Sequence, residues 1–321
     1  MTIEQTAADR PRDDCFIGVV TVLFKSDDVL EGFVTSLAAA RGALRLKLYG
    51  IDNSPTATGT DLASRLCKRV GIESSLIFNN HNAGVAAGNN QGLELALADG
   101  CSHVLFANND IEFPADALVV LVDALRRTGE LVAAPKIHYW GRPVIWYGGG
   151  GFDWKARTQH FGFGEPDCGQ CDAEVVTRYA PTCFMLVDAE VFPRVGMMDE
   201  RYFCYYDDSD FAWRLGEAGI AILYCPTSVV EHKVSSSTGG DMSPFSVYYM
   251  NRNRVYFARK HFKGLHRAVA LTTIWASLVR KTVRLGPTAS GLMRRMWRGA
   301  FDGWRLPLGG NRTGTRRSLS H

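Results

Sequence analysis

The first 135 residues alternate short apolar runs with stretches of helical spacing. Residues 16–24 (FIGVVTVLF) form a nearly unbroken β-branched and apolar run, the pattern of a strand buried on both faces. Helical spacing follows over 29–41. A second strand is predicted at 46–52, closed by the turn-forming Asn53-Ser54-Pro55. The alternation continues with a helix at 60–70, a short strand at 75–78, a helix at 86–98, a strand at 103–107, a helix at 115–127 and a strand at 131–134. This repetition predicts an α/β fold, a mostly parallel sheet with helices on both faces. Ligands of such sheets sit at the carboxyl ends of the strands, so polar residues there come first.

After Pro135 the rhythm breaks. Residues 136–180 hold Gly148–Gly151 and several aromatics, which predicts irregular strands and loops. A strand pair or one long bent strand is expected over 175–187, a short helix at 209–219 and a last sheet strand at 221–225. Residues 244–262 look helical and aromatic-rich, and 265–285 reads as a basic amphipathic helix followed by another short one. The expected organisation is a lead-in at 1–14, a catalytic-type domain at 15–240 (halves at about 15–135 and 136–240), a helical region at 241–305 and a disordered tail at 306–321.

Composition excludes some classes. With 46% hydrophobic and 11% aromatic residues in 321, the chain is neither disordered, collagen-like nor a small disulfide scaffold. The net charge of +3 hides an asymmetry: residues 251–321 carry 16 Lys+Arg and one acid, Asp302, whereas 1–250 carry 20 Lys+Arg and 32 Asp+Glu. The start, MTIEQTAADRPRDD, lacks an apolar signal core, and no run is long enough to span a bilayer. The expectation is a cytoplasmic protein with reduced thiols. Cys168-Gly-Gln-Cys171 has no second pair of ligands at zinc spacing and reads as a loop.

Acids and amides collect at the predicted strand ends. Asp52 can accept hydrogen bonds from a nucleobase or ribose, or organise the Asp-Asn-Ser-Pro turn. Asn108-Asn109-Asp110 offers oxygen ligands suited to Mg²⁺ or Mn²⁺ under a diphosphate, or a polar turn. Residues 79–92 (NNHNAGVAAGNNQG) let the backbone approach a ligand closely. They are not a P-loop, and no GxGxxG follows the first strand, which argues against a dinucleotide dehydrogenase. Asp207, Asp208 and Asp210 form the densest acidic cluster. One acid would serve as a helix cap. Three, among Tyr202, Phe203, Tyr205, Tyr206, Phe211 and Trp213, suggest a carboxylate tuned as a base. His232, after another predicted strand, is a candidate second metal ligand.

In their order and spacing these segments resemble the family 2 inverting glycosyltransferases of GT-A fold, closest to the rhamnosyltransferase-like branch. The resemblance spans about residues 16–262. It rests on Val19–Val22, Asp52-Asn53-Ser54, Asn82-Ala-Gly84 with Gly88-Asn89-Asn90-Gln-Gly92, Asn108-Asn109-Asp110, and Val195-Gly196-Met-Met-Asp199-Glu200 running on to Asp207-Asp208-Ser-Asp210 and Arg214. It implies a Rossmann-like sheet with a C-terminal basic helical extension. It implies that Asp52, Asn82, Gly84, Asn89, Asn109 and Asp110 meet the nucleotide sugar, and that Asp110 and His232 hold Mg²⁺ or Mn²⁺. Asp208, beside Asp207, would be the general base. Asp210, Arg214, Arg252 and Arg254 would face acceptor or phosphate. The first position of the metal motif is Asn108, so Asp110 is the carboxylate that remains.

The implied reaction is transfer of a sugar, rhamnose from dTDP-rhamnose as the first candidate, to a hydroxyl of a lipid-linked cell-surface glycan. Residues 266–285 and 293–304 place Trp and Leu opposite Lys and Arg, the pattern of helices lying on an anionic membrane, here its inner face. No nucleic-acid module is present, and the aromatic 244–262 segment is the candidate surface for self-association. Two other readings share the fold. A sugar-phosphate nucleotidyltransferase would need a Gly-rich basic loop after the first strand, where only Lys25 stands. A catalytically inactive sugar-nucleotide-binding or membrane-scaffold protein would not need Asp110, Asp207, Asp208 and His232 together.

Overall fold

The apolar run at the start becomes β1 (Phe16–Leu23), with seven of its eight residues buried. A computed structural model describes residues 15–42, 44–234, 243–285 and 289–309. The expected lead-in and most of the expected tail, 310–321, lie outside them. After β1 come α1 (Leu30–Ala40), β2 (Arg45–Asp52), α2 (Thr58–Val70), β3 (Glu73–Phe78), α3 (Val85–Ala98), β4 (His103–Ala107), β5 (Ile111–Glu112), α4 (Ala117–Thr128) and β6 (Val132–Tyr139). Next are β7 (Ile145–Tyr147), β8 (Gly150–Phe152), β9 (Thr158–His160), β10 (Val175–Thr177), β11 (Phe184–Asp188), α5 (Val191–Val195), α6 (Asp207–Glu217) and β12 (Ile222–His232). Three helices close the chain: α7 (Pro244–His261), α8 (Gly264–Leu285) and α9 (Ser290–Arg305).

The sheet has ten strands in the order β10-β12-β6-β11-β4-β1-β2-β3, with β5 on β12 and β7 on β6. β4, β1, β2 and β3 run parallel, as do β6 and β12. β11 is inserted antiparallel between β4 and β6. The expected strand pair over 175–187 is therefore corrected. β10 edges the sheet beside β12, β11 lies near its centre, and the two do not pair. The last strand is also longer than the pattern 221–225 suggests. Pro226 marks a register shift between Cys225 and Val229, after which β12 continues to His232. Proline cannot donate to a ladder and is tolerated at such a bulge, so it reads in sequence as an end.

Two glycines of the 79–92 segment serve packing. A Cβ on Gly92 would lie 2.5 Å from Val20 Cγ1, and one on Gly88 2.7 Å from Val22 Cγ2. Their absence lets α3 lie directly on β1. The basic helices are joined to the body rather than appended. Gly299 and Gly303 of α9 pass against the backbone of Tyr248 and Arg252 on α7. Tyr202, Ala156, Val255, Phe257, Ile274, Leu278, Met296 and Ala300 form one apolar cluster. The aromatic 244–262 segment, expected as a surface for self-association, turns Tyr256 and Phe257 fully inward. Among the described residues no helix is long and apolar enough to cross a membrane.

Candidate functional site

Antiparallel pairing of β5 with the end of β12 places Glu231 opposite Glu112 and His232 opposite Ile111. Lys233 donates its backbone N–H to the Asp110 carbonyl. This register brings the two predicted metal ligands together: His232 Nε2 stands 3.1 Å from Asp110 Oδ1. Both residues are buried. Yet among the described residues Asp110 Oδ1 and His232 Nδ1 are buried polar atoms without a hydrogen-bond partner. A buried carboxylate oxygen without a well-formed hydrogen bond is costly, and a cation between the two side chains would relieve it. One carboxylate and one imidazole fit Mn²⁺ or Mg²⁺ when phosphate oxygens complete the shell. Among the described residues no third His, Cys, Asp or Glu joins them.

Asp208 lies at the start of α6, half-buried, where the helix N-terminus favours negative charge. Tyr179 donates to its Oδ2 at 2.6 Å, and Ser209 donates its N–H to Oδ1. Burial first, and the Asp208 charge second, push the Tyr179 phenol far up, so it remains a donor. Asp207 is buried beside it; burial and the Asp208 charge raise its carboxyl well above the usual range. The Cys183 thiol is raised by burial and then by the charges of Asp110 and Asp208.

The loop that delivers Asp208 is strained. Phe203, Tyr205 and Tyr206 have φ of 65°, 66° and 67°, a region costly for bulky side chains. Asn253 on α7 holds it: its Nδ2 donates to the carbonyls of Tyr202, Cys204 and Tyr205 at 2.9, 2.8 and 2.8 Å. Arg252 donates to the Arg201 carbonyl and, at 2.7 Å, to that of Tyr202. Gly84 (φ +88°) is also needed here, because a Cβ on it would lie 2.5 Å from the Phe203 carbonyl oxygen.

Several predicted site residues make framework contacts. Asp52 is fully buried, and its oxygens accept from Ser54 N, Thr60 N and Thr60 Oγ1 at 2.9 Å each. Its carboxylate organises the turn into α2. Asn82 Oδ1 accepts from Gly84 N. Asn89 Nδ2 contacts Met198 Sδ, and Asn109 Nδ2 bonds Val22 O and Ser26 Oγ. Asp210 is fully buried and binds Lys260 (2.6 Å), His261 (2.7 Å) and Arg214 (2.8 Å). Arg214 continues to the carbonyls of Val195 and Met197, and Arg254 to that of Lys155. Asp210, Arg214, Arg252 and Arg254, expected to face acceptor or phosphate, all make hydrogen bonds within the chain. Burial alone would raise Asp210. The hydrogen bond from His261 and the charges of Arg214 and Lys260 outweigh it and hold the carboxyl far below its usual range.

The sequence reading missed Tyr179, Asn253 and Trp146, whose indole stands edge-on to the His232 ring at 4.7 Å. A polar Asn on the inward face of an aromatic helix was the one available signal for Asn253. Tyr179 sits in irregular chain, and Trp146 in the three-residue β7, too short for a periodicity to mark it.

The model of the family described as glycosyl transferase family 2 matches residues 18–186. The N-acetylglucosaminyl-diphospho-decaprenol L-rhamnosyltransferase of Mycobacterium tuberculosis is 35% identical over 98 residues, 30% of this chain and 32% of that protein. The match thus spans about a third of that relative's length. The dTDP-rhamnosyl transferase RfbF of Shigella flexneri is 25% identical over 253 residues, 74% of this chain and 80% of that one. Mannosyltransferase PcManGT from Pyrobaculum calidifontis, solved with GDP-Man and Mn²⁺, superimposes with a TM-score of 0.56 at 14% identity, over 92% of this chain and 89% of that one. This last likeness is one of fold, GT-A.

Proposed function

The chain belongs to glycosyl transferase family 2, and from that premise we propose that it transfers a sugar from a nucleoside diphosphate donor to an acceptor hydroxyl with inversion. The first candidate donor is dTDP-rhamnose and the first candidate acceptor a lipid-linked glycan, on the strength of what the two relatives are named for. One observation carries the reading. Two buried side chains, Asp110 and His232, bring Oδ1 and Nε2 3.1 Å apart with no hydrogen bond to the carboxylate oxygen, in a site that also holds Asp208 on the phenol of Tyr179.

A Mg²⁺ or Mn²⁺ ion held by Asp110, His232 and donor phosphates would offset charge on the departing diphosphate. The chain's own residues do the rest. Asp208 accepts the proton of the acceptor hydroxyl as that oxygen bonds to the anomeric carbon. The bond from that carbon to the diphosphate breaks on the opposite face, so configuration inverts without a covalent enzyme intermediate. Tyr179 fixes one Asp208 oxygen and leaves the carboxylate aimed by the start of α6. Trp146 holds the His232 ring from its edge.

The outer faces of α8 and α9 support docking on an anionic membrane surface at the inner side of the cell membrane. Leu265, Val269, Val279, Val283, Phe301 and Trp304 are exposed there, near Arg280, Lys281, Arg284, Arg294, Arg295 and Arg298. The test of the donor site is a thermal-shift panel of UDP, dTDP and GDP, each with and without Mn²⁺ or Mg²⁺. A ligand that binds only the folded state raises its apparent stability. The proposal expects a metal-dependent rise with one nucleotide, dTDP first. No rise with any of them would shift the reading to a fold that has lost its donor.

A further inference from the structure

The aromatic frame around the site holds a histidine that the mechanism above does not use. His160 ends β9. Its Nδ1 lies 2.9 Å from the Trp146 carbonyl oxygen. A carbonyl only accepts, so Nδ1 carries the proton and Nε2 the lone pair. Burial keeps the imidazole pKa below its usual value, against the opposing pull of Asp208, which preserves that neutral form. Four rings fix its orientation: Trp146 at 4.7 Å, Tyr147 at 5.4 Å, Tyr179 at 5.5 Å and Phe163 at 5.9 Å.

Two of those rings tie His160 to both halves of the site. Trp146 also packs on His232, and Tyr179 also donates to Asp208. His160 therefore lies between the ligand pair and the base. Its Nε2 makes no hydrogen bond among the described residues, and the residue is half-buried rather than sealed. Phe163 is 55% exposed beside it and continues onto Tyr139 at 6.1 Å. A rigid imidazole with a free lone pair, next to an exposed ring, suits a sugar. The lone pair accepts one hydroxyl, and the apolar face of a pyranose covers the phenyl ring.

We propose that His160 Nε2 and the Phe163 ring form the subsite for the acceptor sugar, His160 accepting a hydroxyl next to the one Asp208 deprotonates. This rests on the transferase reading and adds to it the chemical class bound on the acceptor side, a pyranoside. His160 would set acceptor affinity and position and leave donor binding alone.

The test uses the full chain with dTDP and Mn²⁺, and octyl N-acetylglucosaminide as a pyranoside probe read by saturation-transfer NMR. His160→Asn keeps a donor for the Trp146 carbonyl and removes the ε position. His160→Gln returns an acceptor near that position. The expected result is about tenfold weaker glycoside binding in H160N, the size of one hydrogen bond. At least partial recovery follows in H160Q, and dTDP binding stays within about twofold in both. Undiminished glycoside binding in H160N overturns the proposal. So does equal loss of glycoside and dTDP binding, which marks a structural role only, or absence of glycoside binding by the native chain. A native chain that binds the glycoside but shows no metal-dependent dTDP binding fails the donor reading instead, and the H160N comparison still reads the subsite.

Discussion

Asn253→Ala probes how the base is delivered. Its Nδ2 serves three carbonyls of the loop that precedes α6, and Arg252 also serves one of them, that of Tyr202. The substitution strips this donor from the carbonyls of Cys204 and Tyr205. Each buried acceptor left short costs on the order of 1–1.5 kcal/mol, so the expected loss is roughly 2–3 kcal/mol. For a chain of this size that is a fall in Tm of about 3–5 °C. The loop also carries three residues at positive φ, each holding about 1–3 kcal/mol of strain. Without its clamp it should relax and carry Asp208 off position. The assay pairs thermal and urea unfolding with donor turnover at a temperature where the variant is fully folded. The expected variant has a lowered Tm, kcat reduced at least tenfold and little change in donor KM. A Tm within about 1 °C of native, or unchanged kcat in the folded variant, would refute the clamp.

Three further outcomes follow from the same geometry. Asp110→Asn and His232→Ala should each abolish the Mn²⁺-dependent part of the nucleotide thermal shift while the protein stays folded; a full shift in either variant removes that residue from the metal site. Tyr179→Phe, which deletes the 2.6 Å bond to Asp208, should lower kcat about ten- to a hundredfold with donor KM unchanged, read by initial rates. Asp210→Asn leaves Lys260, His261 and Arg214 around a neutral buried group and should cost roughly 3–5 kcal/mol in urea unfolding. Because the folded Asp210 carboxyl is held far below its usual range, its stabilisation is complete above about pH 5 and is lost as the pH falls below about 4. The native chain should lose stability in that acid window, and the variant should lack that component of the slope.

The strand–helix alternation was legible because sheet burial writes itself as continuous apolar runs: the predicted helices at 29–41 and 60–70 and the strand at 103–107 match α1, α2 and β4 closely. The proximity of Asp110 and His232 was legible too, since both stand at strand ends. What local pattern could not show was which polar groups are consumed internally. Asp52 and Asp208 look alike in sequence, each an acid at an element boundary. The turn role was one of two the sequence allowed Asp52, and the structure gives that carboxylate Ser54 and Thr60 while leaving Asp208 half-buried beside Tyr179. The same holds for Asp210, whose partners Lys260 and His261 are about fifty residues away on α7. The antiparallel insertion of β11 escaped because strand direction is set by long-range pairing, which a run of apolar residues does not encode.

The most direct test of the account is the stereochemistry and base dependence of transfer. Native protein and Asp208→Asn are incubated with dTDP-rhamnose, Mn²⁺ and octyl N-acetylglucosaminide, and the anomeric signal of the product is read by NMR. The account predicts a glycoside of configuration opposite to the donor from the native chain, a rate reduced about a thousandfold or more in D208N, and dTDP binding preserved in that variant. A product of retained configuration, or near-native turnover in D208N, would contradict it.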